Sequence, residues 1–168
     1  LLIGATPGGP IQRSNGLLEA RPDAQLVVDP GIVVKLDGAR IDVEVSTQLI
    51  AEGSPDNPVI FTSINDNRYG GVTEVSTGAE PGDWGGIHVA QAARLSLDNV
   101  VIAYGGGVTR VPGSSTAFNA LEIHQAEAAR VTNSVFENND LGVGGIAEEQ
   151  RVGHGTHGPG AIFVRGAQ

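Results

Sequence analysis

The chain has 168 residues, 40% of them hydrophobic but only 4% aromatic, with 25 glycines, 9 prolines and a formal charge of −9. Such a length supports one domain with a real core. The acidic balance disfavours nucleic acid as a partner, no apolar run approaches the roughly 18 residues of a membrane span, and the absence of cysteine excludes disulfides and thiolate metal sites.

The apolar content is almost all Val, Ile, Leu and Ala, and turn formers are frequent. That combination favours many short strands over long helices. Methionine is also absent, so residue 1 is expected not to be a translation start, and the chain is read as trimmed or partial.

Residues 1–25 open with Thr6-Pro7-Gly8-Gly9-Pro10 and read as an irregular leading segment. The domain is expected to occupy residues 26–168. Leu26 to Leu36 reads as two short strands about a Pro30-Gly31 turn.

A repeat then begins. The apolar-x-apolar triplet Ile41-Asp42-Val43 returns as Ile87-His88-Val89, Leu121-Glu122-Ile123 and Ile162-Phe163-Val164. Eight residues after each of the first three comes a second apolar pair: Leu49 with Ala51, Leu95 with Leu97, Ala129 with Val131. A third strand follows, since Asp98 to Gly105 aligns with Thr132 to Asn139, and Asp56 to Thr62 has the same character. Strand alternation turns the outer two residues of each triplet one way and the middle one the other.

The triplets are 46, 34 and 41 residues apart. Three short strands per unit at variable spacing imply a constant coil with loops of different length, at residues 65–83, 105–119 and 141–160. One such coil cannot bury its inner face, whereas stacking coils about 4.8 Å apart covers it and satisfies the backbone. The predicted fold is therefore all-β: a right-handed parallel β-helix solenoid of about three to four coils with long loops on one edge. Asn99 and Asn133 fall at equivalent bends and are predicted to form a stacked amide ladder. The pattern stops at Gln168 without a visible cap, so further coils or a covering chain are expected.

Four runs carry a resemblance: Leu26 to Lys35, Gln48 to Gly53, Asn57 to Ser63 and Gly82 to Ile87. Together they resemble the right-handed parallel β-helix modules of the pectin-lyase-like superfamily, found in large bacterial surface and secreted proteins. The likeness extends over about residues 26–168. It implies an exported, extracellular or cell-surface protein, and such modules serve in adhesins, filament proteins and carbohydrate-active enzymes alike.

His88 and Glu122 are predicted to be outward neighbours in adjacent coils, with Phe163 next in the column. They are the catalytic candidates, although a surface hydrogen bond is the plainer reading. Asp98 faces Thr132 one coil later, so no stacked carboxylate pair is expected there. Calcium is the one cofactor considered, with Asp66 and Asp83 as ligands in the oxygen-rich loop that also holds Asn65, Asn67, Glu74 and Glu80; an Asx-rich turn is the plainer reading. His154 and His157, with Glu148 or Glu149, are too few for a strong zinc site. Trp84 is expected as a lid over a loop–strand junction, and as a ligand platform with Tyr69 and Tyr104 in the rival reading. Gly105-Gly106-Gly107 lacks the helix and lysine of a phosphate loop, and no nucleophile elbow occurs.

These observations favour a non-enzymatic, structural or adhesive role through stacked coil ends and protruding loops. Its partners would be further copies or neighbouring domains of the same protein. The alternative is a β-helix that binds or cleaves polysaccharide. Neither reading needs membrane insertion.

Overall fold

The computed structural model describes residues 2–4, 24–73, 78–111, 114–140 and 161–165. Among these residues the chain forms fifteen strands and no helix. They begin with β1 (Leu2–Gly4), β2 (Gln25–Val28), β3 (Val33–Asp37), β4 (Arg40–Val43) and β5 (Gln48–Glu52). β6 (Val59–Ser63), β7 (Gly86–Val89), β8 (Arg94–Asp98), β9 (Val100–Ala103) and β10 (Val108–Val111) follow. The last are β11 (Ser114–Ala117), β12 (Leu121–His124), β13 (Ala128–Thr132), β14 (Val135–Glu137) and β15 (Ile162–Arg165).

Thirteen of these strands build three parallel sheets, and the remaining two pair only with each other. The first sheet has the order β1-β3-β6-β9-β14, the second β15-β12-β7-β4 and the third β13-β8-β5-β2. From β2 onward the chain visits the third, first and second sheets in turn, so every return brings it beside its own earlier strand.

Register is kept at each return. Ile41 pairs with Ile87, Ile87 with Leu121 and Leu121 with Ile162. Leu26, Leu49, Leu95 and Ala129 form the matching column of the third sheet, and Val34, Phe61, Ile102 and Phe136 that of the first. Columns of apolar residues suit close packing because each layer repeats much of the shape below it. Val34, Leu49, Phe61, Ile87, Leu97, Ile102 and Leu121 are fully buried in one core. The same columns surface at the outermost strands, where Leu26 is 43%, Ile162 44% and Val164 62% exposed.

Sharp corners separate the sheets. Asn99 and Asn133 both adopt φ 49° between the third and first sheets, a left-handed bend that asparagine tolerates well. The Asn133 amide donates to Asp98 Oδ1 at 2.8 Å. The ladder expected from sequence is thus a repeated backbone bend, and the side-chain bond runs from Asn133 to a carboxylate. Ser46 and Ala92 take the left-handed conformation at the corner after the second sheet. Gly86 has φ 88°, and a Cβ there would meet Ala120 O at 2.7 Å.

The segment expected as a plain loop at residues 105–119 instead contains an antiparallel hairpin, β10 with β11. The loop at residues 141–160 lies outside the described residues, as do His154, His157, Glu148, Glu149 and Glu74.

Candidate functional site

Three groups of polar side chains sit on the outer faces of the sheets. The first lies on the second sheet. Alternation along β4, β7 and β12 turns Asp42, His88 and Glu122 away from the core, in one column that continues to Phe163. The structure therefore brings His88 and Glu122 into adjacent strands, but it does not leave Glu122 at a solvent surface. Glu122 is 0% exposed. Its Oε1 accepts from Asn119 N at 2.9 Å and from Asn119 Nδ2 at 3.3 Å, and its Oε2 lies 2.8 Å from His124 Nε2.

The cover comes from the hairpin and the residues that return it to β12. The Phe118 ring stands 5.5 Å from the His88 ring and 4.4 Å from the Arg40 guanidinium. Arg40 Nε lies 2.7 Å from Asp42 Oδ1, while His88 Nδ1 is 3.6 Å from the same oxygen. The His88 and His124 rings are 5.0 Å apart. Burial, then the positive charge of His124 and of Arg40, pushes the His88 imidazole down from 6.5 to about 4, against the weaker pull of Asp42 and Glu122. His88 is accordingly neutral at neutral pH. These groups could exchange protons, yet a substrate reaches Glu122 only if Phe118 and Asn119 move. Sequence reasoning missed His124, although strand alternation places it on the face of Glu122 two residues away.

The second group lies on the first sheet under residues 64–73. Lys35 Nζ donates to Asp66 O at 2.9 Å and Gly71 O at 2.6 Å, which explains a buried lysine. Asp66 accepts from Arg68 Nε at 3.0 Å and Nη2 at 3.1 Å, and from Thr62 Oγ1 at 2.7 Å. Burial raises the Asp66 carboxyl, but the bonds from Arg68 and Thr62 outweigh it and hold the group below its ordinary value. Arg68 also pairs with Glu137 at 2.8 Å and stacks within 5.1 Å of Tyr69 and 5.0 Å of Tyr104. Burial and then the Glu137 charge raise the Tyr69 phenol. An open cavity of about 400 Å³ lies here, bordered by Asn65, Asp66, Arg68 and Tyr104.

Asp83 and Asp66 bond to consecutive residues of β6. Asp83 Oδ2 accepts from Ser63 Oγ at 2.5 Å and from Glu80 N at 3.2 Å, whereas Asp66 is bonded to Thr62, the preceding residue on the strand. Among the described residues no group of three or more His, Asp or Glu side chains is arranged to hold a metal ion. Trp84 is fully buried, and its Nε1 donates to Ala103 O at 2.7 Å. It packs in the core and offers no ring face to a ligand, while Tyr69 and Tyr104 are half-buried and only Tyr104 of the two borders the open cavity.

The third group lies on the open face of the third sheet. Glu52 and Asp98 are direct partners in adjacent strands. A stacked carboxylate pair thus exists where none was expected, because the comparison of Asp98 with the layer above, Thr132, overlooked the layer below. Arg130 spans the two, with Nη1 3.6 Å from Glu52 Oε1 and Nη2 3.4 Å from Asp98 Oδ2. Bonds from Thr132 Oγ1 and Asn133 Nδ2, aided by Arg130, hold the Asp98 carboxyl below its usual value. The eight-residue offset between strand pairs would have found this pair had it been read in both directions.

No family model, curated protein or solved structure matches the chain.

Proposed function

We propose that the chain is a right-handed parallel β-helix of the pectin-lyase-like kind, with about three to four coils, serving as a structural or adhesive module of an extracellular surface or filament-forming protein. The single observation behind this reading is that the aliphatic columns surface at the outermost strands, with Leu26 exposed on β2 and Ile162 and Val164 on β15. Apolar residues in line with a repeating core suit continuation of the stack by a further copy or a neighbouring domain of the same protein. A head-to-tail contact of this kind does not close on itself and yields a fibre. The acidic, nearly lysine-free composition suits an exported surface and disfavours nucleic acid. The covered state of Glu122 supports a role without catalysis.

Sedimentation velocity over a wide concentration range tests the proposal. Assemblies that grow with concentration and vanish on Ile162→Lys with Val164→Lys are expected. A compact monomer at every concentration overturns it.

The Glu52–Arg130–Asp98 group favours a second reading, a domain that binds or cleaves polysaccharide. An arginine between carboxylates on an open sheet face, with Tyr69 and Tyr104 on the neighbouring face, suits sugar hydroxyls and ring faces. Calcium belongs to this reading, with Asp66 and Asp83 as its proposed oxygen donors. Release of reducing ends or unsaturated uronates, with and without Ca²⁺, and its loss in Arg130→Ala, would replace the structural reading with this one.

A further inference from the structure

We infer that the hairpin β10–β11, together with residues 117–120 that return it to β12, is an acid-releasable cover over the polar face of the second sheet. The cover is tied to the body of the protein differently from any other strand. Among the described strands β10 and β11 pair only with each other, so lifting the hairpin leaves the three stacked ladders intact, and the cover is anchored at its two ends, where Gly107 N donates to Trp84 O and Ala120 O accepts from Ile87 N, both at 2.9 Å. Openings that leave the main ladders intact are the low-cost openings of a fold.

Several of the contacts that hold the cover down are sensitive to charge. Phe118 lies against the Arg40 guanidinium and the His88 ring. Asn119 donates twice to Glu122 Oε1. Thr109 sits where a side chain on Gly85 would be, so the hairpin rests directly on the strand entrance. Beneath it, the charged groups that face His88 are Arg40 and Asp42 from β4 and Glu122 and His124 from β12. Phe118 and Asn119 from the cover and Phe163 from β15 bring no charge. With His88 neutral, the Arg40 guanidinium is the fixed cation here, paired with Asp42. A proton taken from solvent onto His88, whose side chain is 23% exposed, adds a cation near the Arg40 guanidinium and 5.0 Å from the His124 ring, against the Phe118 ring.

An imidazolium in that place is poorly solvated, and Arg40 and His124 repel it. Lifting Phe118 admits water and separates the charges; the contacts given up include those of Phe118 with Arg40 and His88 and the Asn119 bonds to Glu122. Acid thus opens the face that carries His88, Glu122 and His124, and neutral pH closes it. This inference concerns only the hairpin and does not depend on what the exposed face binds.

Amide hydrogen exchange of the whole chain at pH 7 and pH 4, normalised for intrinsic rates, tests it. Residues 106–120 should lose protection at least tenfold more than β6 and β9 on acidification. The midpoint should coincide with the titration of the His88 ring followed by NMR, and His88→Asn should keep the hairpin protected at pH 4. Equal protection at both pH values, simultaneous opening of hairpin and sheets, or release in His88→Asn as in the wild type overturns the inference. If His88→Asn does not fold, the wild-type midpoints decide: values more than about one pH unit apart overturn it as well.

Discussion

Replacing single members of one aliphatic column by alanine should give costs that follow depth in the stack. Ile87, Leu121 and Ile162 occupy the same register in adjacent strands of the second sheet. Leu121 is 0% exposed, with a neighbour above and below, whereas Ile162 is 44% exposed on the outermost strand. Truncating Leu121 removes three buried carbons, about 2.4 kcal/mol of transfer free energy, and leaves a closed cavity between two layers; the total should be about 3 kcal/mol. Ile87→Ala should cost about the same. At Ile162 roughly half the side chain is already in water and the gap opens to solvent, so the cost should be about 1 kcal/mol. Urea unfolding followed by the fluorescence of Trp84, the single tryptophan, reads all three, provided that the slope with denaturant stays constant. Equal costs at Leu121 and Ile162, or a cost at Leu121 below about 1 kcal/mol, would refute the column.

Ala92 is held at φ 58°, a conformation that alanine dislikes, so Ala92→Gly should raise stability by about 0.5–1 kcal/mol in the same assay. Gly86→Ala should prevent folding or unfold the chain at ordinary temperature by circular dichroism, because the added carbon would strike the Ala120 carbonyl oxygen. The His88 ring is depressed to about 4 in the folded chain against 6.5 unfolded, so the unfolded state binds the proton more readily. Its contribution is intact above pH 6.5 and is lost as pH falls towards 4, by up to about 3 kcal/mol. Urea titrations at pH 7, 5.5 and 4 should show that loss in the wild type and a flatter profile in His88→Asn.

The stacking was legible because it is written in equal offsets. The four triplets from Ile41 to Ile162 and the pairs eight residues on are the partners that the sheets join. The loops were not legible, since a hairpin such as β10–β11 makes no periodic demand on sequence. Glu122 read as a surface residue because alternation gives the face of a side chain but not what later folds over that face. Lys35 carried no signal of burial either, for its partners are carbonyl oxygens of Asp66 and Gly71, available in any sequence. For Trp84 the packed reading rather than the rival platform describes the ring, and Gly105, distant in sequence, allows the close approach, since a Cβ there would stand 3.2 Å from the indole.

The absence of cysteine permits a direct test of the layered register. Ile50 and Ser96 are partners in adjacent strands on the outer face of the third sheet, and Ser96 is in turn the partner of Arg130. Neighbouring strands are about 4.8 Å apart and next-nearest strands about 10 Å, while a disulfide needs Cα atoms within about 7 Å. The chain with Ile50→Cys and Ser96→Cys should therefore oxidise to an intramolecular disulfide, and that with Ile50→Cys and Arg130→Cys should not. The opposite pattern, or no disulfide in either, would contradict the stacking on which the whole reading depends.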